Sequence, residues 1–203
     1  HLYAAMQSCA SHVRWKDSVA GFIKNGVDNC MMLEYDLNNG TYKIGKYTHL
    51  TVYEPKRREV TATRFRDRVF QRSLCDNYLT KEIAQHFIYD NGACLEDKGT
   101  DFARNRFQRH LEKYVRQYGP NGYVLKCDVR NFFGSADHEV AKSEMRKYIR
   151  DDFAYREVCR IIDSFDIGIG LGSQISQLVM SALLNRMDHV LKERYGCEFY
   201  VRY

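Results

Sequence analysis

The stretch Gly122-Tyr-Val-Leu-Lys-Cys-Asp-Val-Arg-Asn-Phe-Phe-Gly-Ser-Ala-Asp-His138 decides how the rest of the chain is read. Tyr123, Val124, Leu125 and Cys127 form a short apolar run behind a Pro120-Asn-Gly122 turn, with Lys126 as its only charge. A run of this kind, bounded by turn residues, predicts a sheet-core strand. It ends on Asp128. A carboxylate where a buried strand opens into a loop is half desolvated, so it stays ionised only with hydrogen bonds or a cation. A divalent metal meets that need, and capping of the turn that follows meets it equally.

Composition sets outer limits. The 203 residues suffice for one sizeable core or two closely packed lobes, and a hydrophobic content of 44% is ordinary for a water-soluble protein. No apolar run reaches the ~20 residues of a membrane-spanning helix and no signal peptide opens the chain, so a cytoplasmic protein without a membrane partner is expected. The seven cysteines are widely spaced and lack a Cys-x-x-Cys pair, which predicts reduced, mostly buried thiols. The net charge of +5 is unevenly spread. Lys56, Arg57, Arg58, Arg64, Arg66, Arg68 and Arg72 stand against only Glu59 and Asp67, an excess equal to that of the whole chain. A second cluster is Arg104, Arg106, Arg109, Lys113 and Arg116 against Glu112. Such clusters suit a polyanionic partner or, more simply, a solvated face.

Working outward, His1 to about Asn25 carries apolar residues at helical spacing, and a helix is predicted from Val27 to Leu37, ended by Asn38-Asn39-Gly40. Thr48, Leu50, Val52 and Tyr53 predict a strand whose antiparallel partner, Arg58 to Thr63, returns across Glu54-Pro-Lys-Arg57 as a basic hairpin. Helices are expected at Val69–Phe87, Thr100–Gln117, His138–Tyr148, Phe153–Phe165 and Leu178–Leu191, and a final strand at Glu198–Tyr203. Before the last of these helices, Gly168-Ile-Gly-Leu-Gly172 allows close backbone approach to a ligand. The chain starts without Met and stops inside an apparent strand, so it is read as a fragment.

The opening stretch resembles the first catalytic motif of reverse transcriptases, apolar-x-x-D-apolar-x-x-F-F-x-S-apolar-D-H. Further motifs follow the same family's order. Glu54-Pro-Lys-Arg-Arg-Glu-Val60 with Arg64-Phe-Arg-Asp-Arg-Val69 looks like the fingers motif of bacterial group II intron and diversity-generating enzymes. Asp90 to Ala103 is similar to D-S-Y-A-C-x-x-G-K-G-T-H-x-A, with Gly92 and Asp101 departing from it. Gly170-Leu-Gly172 and Ser176-Gln177 correspond to a template-gripping loop, and Tyr203 to the tyrosine of Y-x-D-D, whose aspartates would follow it.

The resemblance implies an α+β fold: the fingers and partial palm of a right-hand polymerase, with an antiparallel palm sheet packed on helices, truncated before the last catalytic motif and the thumb. Residues 1–120, with 139–167 returning to them, would be an N-terminal extension and fingers, and 121–138 with 168–203 the partial palm. Asp128 would be a catalytic residue and a ligand of magnesium, or of manganese in its place, joined by the Val129 carbonyl. Lys56, Arg58 and Arg66 would hold the incoming triphosphate; Phe133, Leu171 and Gly172 would face the nucleotide, Phe133 as the gate against a ribose hydroxyl. Lys98, Gly99, Ser176, Gln177 and Tyr203 would touch template and primer. Phe132 is read as core, and Arg68 as an ion pair with Asp67. Partners would be an RNA template, a DNA or RNA primer and deoxynucleotides, with room for an accessory protein.

Leu171 stands where most relatives place Gln and forms no side-chain hydrogen bond to a base, which implies selection by shape and error-prone copying. The expected activity is RNA-directed DNA polymerisation of the diversity-generating type. Group II intron maturases, retron and phage-defence enzymes are the close alternatives, and a non-catalytic RNA-binding module the distant one.

Overall fold

A computed structural model describes residues 1–53 and 57–203, with the backbone alone at Arg58. Three helices open the chain, α1 (Leu2–Ala10), α2 (Asp17–Lys24) and α3 (Gly26–Asn38). Gly40, at φ 69°, ends α3, and the amides of Thr41 and Tyr42 both return to the Asp36 carbonyl at 2.9 and 3.1 Å. That reversal buries Tyr42. Its hydroxyl donates to Asp67 at 2.8 Å, its ring meets Phe70 edge-on, and its carbonyl accepts from Arg160 at 2.7 Å.

The hairpin follows as β1 (Thr48–Val52) and β2 (Arg58–Ala62), antiparallel with Leu50 opposite Val60. Helix α4 (Phe65–Leu74) runs through a π-turn, Cys75–Leu79, into α5 (Thr80–Ala84). Val69, Cys75, Leu79 and Ile83 keep one buried stripe along this length. Then come α6 (Thr100–Tyr118), α7 (His138–Arg146), α8 (Asp152–Asp163), α9 (Gln174–Leu183) and α10 (Asn185–His189), the last continued by a π-turn, Val190–Arg194. Asp137, Asp151 and Ser173 cap α7, α8 and α9 by accepting from the first-turn amides. Helix α4 packs on α1 and α9, and α7 on α8 and α9. Their facing sides form a core that includes Met6, Leu33, Val69, Met145, Ile161, Ile175 and Met180.

The mixed α+β class holds, but the palm sheet does not. Among the described residues the hairpin is the only sheet. Residues 123–127 are neither a strand nor buried: Tyr123 is 105% and Leu125 88% exposed, and Cys127 and Asp128 are exposed too. No described strand offers this run a hydrogen-bonding ladder, so its apolar side chains have no second layer to cover them. The Glu198–Tyr203 strand is likewise reduced to one parallel bridge, Arg202 with Asn91. Phe132 and Phe133 sit on a turn rather than a strand, their rings 6.0 Å apart and both half-buried against the core. The thiols divide differently from expectation: Cys30 and Cys75 are buried, Cys9 and Cys159 half-buried, and Cys94, Cys127 and Cys197 exposed. No helix of the described residues is long and apolar enough to cross a membrane.

Burial, and then the neighbouring Asp67 carboxylate, push the Tyr42 phenol far above its ordinary pKa, so it remains a donor. Replacing Tyr42 by Phe leaves the buried Asp67 one donor short, and a fall in unfolding free energy of about 1–2 kcal/mol is expected in urea titration.

Candidate functional site

Three stretches far apart in sequence meet at the glycine-rich loop before α9. The Gly168 carbonyl accepts from His138 Nε2 at 2.6 Å. Because a carbonyl only accepts, this contact fixes the proton on Nε2. The next amide, Ile169, donates to the Phe133 carbonyl at 2.8 Å, and the Leu171 carbonyl accepts from the Thr61 amide of β2 at 3.1 Å. The loop therefore ties the basic hairpin to the turn that follows Asp128.

Glycine is required at both ends of this tie. Gly168 has φ 63°, and a Cβ there would lie 2.4 Å from the Phe133 carbonyl oxygen and 2.7 Å from the Gly134 backbone. Gly172, at φ 125°, would set a Cβ 3.0 Å from the Thr61 carbonyl oxygen, a backbone atom with little freedom to move. Leu171 is half-buried between them. Of the residues expected to face a nucleotide, Phe133, Leu171, Gly172 and the backbone of β2 that carries Arg58 are thus brought together. Lys56 lies outside the described residues, as does the Arg58 side chain.

Arg66, in the first turn of α4, is engaged elsewhere. Its guanidinium pairs with Asp36 and lies 5.3 Å from the centre of the Tyr42 ring. The expected Arg68–Asp67 pair is replaced: Asp67 takes the Tyr42 hydroxyl and the Gly45 amide, at 2.8 and 2.9 Å. Ser176 and Gln177 fall inside α9, because Ser173 starts that helix earlier than the sequence suggests. Ser176 is buried and bonded to Ser173, its amide at 3.0 Å and its hydroxyl at 2.8 Å, so it completes the cap of α9. Gln177 is exposed.

The other expected contacts gather at the start of α6. Lys98 donates to the Tyr89 carbonyl at 2.7 Å, Gly99 precedes the helix at φ 129°, and Thr100 donates to the Tyr203 hydroxyl at 2.7 Å. Burial lowers the Lys98 pKa; the nearby Asp90 works against this and Arg106 adds to it.

Two buried aspartates hold this region, and the sequence reading assigned neither. Asp90 accepts from Arg106 at 2.6 Å and Lys192 at 2.9 Å, with His110 at 3.5 Å. Asp188 is completely buried, accepts from Tyr200 at 2.6 Å and takes a fork of bonds from Arg202 at 2.8–3.0 Å. Arg202 also donates to the Ser181 carbonyl at 3.2 Å, and its backbone bonds Asp90 and Gly92 at 3.0 and 2.8 Å. An aspartate inside an apolar helix, three residues after Asn185 and ahead of an Arg-bearing terminal segment, was the available signal.

Asp128 is exposed, and the Val129 side chain is half-exposed. Among the described residues no group of three or more His, Cys, Asp or Glu is arranged to hold a metal. Magnesium keeps several waters and is usually held by one or two carboxylates together with substrate phosphates, and Asp128 is the carboxylate that the sequence reading assigned to it. No protein-family model matches the chain, and a search of curated proteins finds no match.

Burial raises the Asp90 pKa, but the bonds from Arg106 and Lys192 overcome this and hold it below the ordinary carboxylate value. The unfolded chain therefore takes up the proton first as pH falls. Stability from Asp90 is complete above the unfolded carboxylate range of about 4 and is lost as pH drops through the lower folded value. Asp90→Asn should cost about 3 kcal/mol at neutral pH in denaturant titration, with the gap to wild type closing in acid.

Proposed function

We propose that the chain is the fingers and part of the palm of an RNA-directed DNA polymerase. The observation that carries this reading is the junction at the glycine-rich loop: Thr61 to Leu171, Phe133 to Ile169 and His138 to Gly168 join three stretches that separately resemble motifs of one nucleotide site.

On this reading Arg58 would hold the triphosphate, since guanidinium groups bind phosphate oxygens as a fork and offset charge that grows in the transition state. Phe133 limits the space beside the sugar. Gly172 admits the nascent base pair to the backbone, and Leu171 leaves selection to shape. Arg66 joins the phosphates only by exchanging Asp36 for them. The reaction is attack of a primer 3'-hydroxyl on the α-phosphate: a P–O bond to the primer forms, the bond to pyrophosphate breaks, and the hydroxyl proton leaves to solvent. Magnesium or manganese would stabilise the phosphate charge, with Asp128 as the one carboxylate from the described residues. The remaining ligands would come from elsewhere in the full-length protein.

Copying a defined RNA with the full-length protein, and sequencing the product, tests the reading. Primer-dependent DNA synthesis that disappears in Asp128→Ala is expected, with frequent errors opposite adenine, and the 203-residue chain alone should extend nothing. Synthesis that survives Asp128→Ala would overturn the assignment and favour a module that only binds RNA.

A further inference from the structure

We infer that His110 is an acid-operated release for the buried charge cluster at Asp90. Neutral, it lets that cluster tie α6 to the loop around Asn91 and to the π-turn after α10; protonated, it loosens the tie. None of these groups belongs to the junction that carries the functional reading.

Four side chains from three stretches make the cluster. Asp90 comes from the loop ahead of α6, Arg106 and His110 from successive turns of α6, and Lys192 from the π-turn. Only Asp90 is negative. Its two oxygens are already taken, Oδ1 by Arg106 at 2.6 Å and Oδ2 by Lys192 at 2.9 Å. His110 faces Oδ1 from 3.5 Å with its side chain 11% exposed, and its Nε2 is buried without a hydrogen bond among the described residues. The ring is held edge-on to Phe199, 6.0 Å between centres. A buried nitrogen left unbonded beside a paired aspartate calls for an explanation, and a titratable group kept neutral until the medium acidifies supplies one.

Charge decides the direction. With His110 neutral the cluster holds two cations and one anion, and a proton on the ring brings a third cation against the same carboxylate. Lys98, bonded to the Tyr89 carbonyl, adds positive charge nearby. The acids of the packed neighbours are committed elsewhere, Glu198 to Lys113 and Asp188 to Arg202. Burial holds the His110 pKa below its ordinary value; Asp90 pulls it up, and Arg106 and Lys192 push it further down. As pH falls, the unfolded chain therefore takes the proton first. Stability held by neutral His110 is complete above the unfolded value of about 6.5 and is lost as pH drops below it toward the folded value. The loss from Asp90 itself comes in the carboxylate range, so the two windows separate.

Urea unfolding of the 203-residue chain between pH 7 and pH 5 provides the test, with His110→Phe keeping an aromatic ring beside Phe199 and removing the proton. Over this interval the unfolding equilibrium constant of the wild type should rise about tenfold relative to that of the variant, the factor expected when folded and unfolded values differ by about one pH unit. The amide of the fully buried Asn91, corrected for its intrinsic exchange rate, should lose protection over the same interval in the wild type alone. Parallel pH curves for the two proteins overturn the switch. So does a His110 ring that titrates at or above the free-histidine range in NMR spectra of the wild type, a measurement that decides the matter even where the variant does not fold.

Discussion

Among the described residues one backbone hydrogen bond ties the basic hairpin to the glycine-rich loop: the Thr61 amide of β2 on the Leu171 carbonyl. Val60, Thr61 and Ala62 of β2 are half-buried, whereas every residue of β1 is exposed, and a two-stranded ribbon is marginal by itself. Whatever the arginines of this hairpin hold, they hold from a position set by the loop Gly168–Gly172. The loop in turn depends on backbone shapes open to glycine and on contacts too close for any Cβ. His138 and the Phe133 carbonyl fasten its other end to the turn that begins just after Asp128. Hairpin, loop and turn thus share one geometry, and a shift in one is felt in the others.

A second region of the protein is organised by buried charge. Asp188 with Arg202 and Tyr200, and Asp90 with Arg106 and Lys192, bind the terminal segment to α6, to the loop around Asn91 and to the π-turn after α10. Ion pairs of this kind add little net stability over apolar packing, but breaking one leaves a buried charge unpaired. They suit fixing direction, because the two-pronged guanidinium accepts few alternative geometries. Their effect here is to hold a short segment in place with a single bridge and no ladder.

Much of the helical frame was legible in the chain. Apolar periodicity placed α3, α6, α7 and α8 to within a few residues, and Asn38-Asn39-Gly40 marked a real end. The hairpin followed from alternation around a Pro-bearing turn. The 122–128 run was misread because an apolar run bounded by turn residues reads alike whether or not a ladder lies beside it. The α9 start was missed because Ser173 caps a helix inside what reads as a glycine loop, which also places Ser176 in that cap. Resemblance to known motifs brought Phe133, Leu171 and Gly172 into one list, and the fold brings them into one place. It gave no warning that Arg66 would pair with Asp36, since that contact joins residues thirty positions apart. Asp90 and Asp188 escaped notice because buried acids look like surface acids until their partners are known.

The central claim is that the hairpin and the post-Asp128 turn are held by the same loop, and amide hydrogen exchange reads it at two atoms. The Thr61 and Ile169 amides, which donate into and out of that loop, should be protected to a similar degree and open together as denaturant is raised below the unfolding transition. A Thr61 amide exchanging at the free-peptide rate while Ile169 stays protected would contradict the account, because the hairpin would then move independently of the loop.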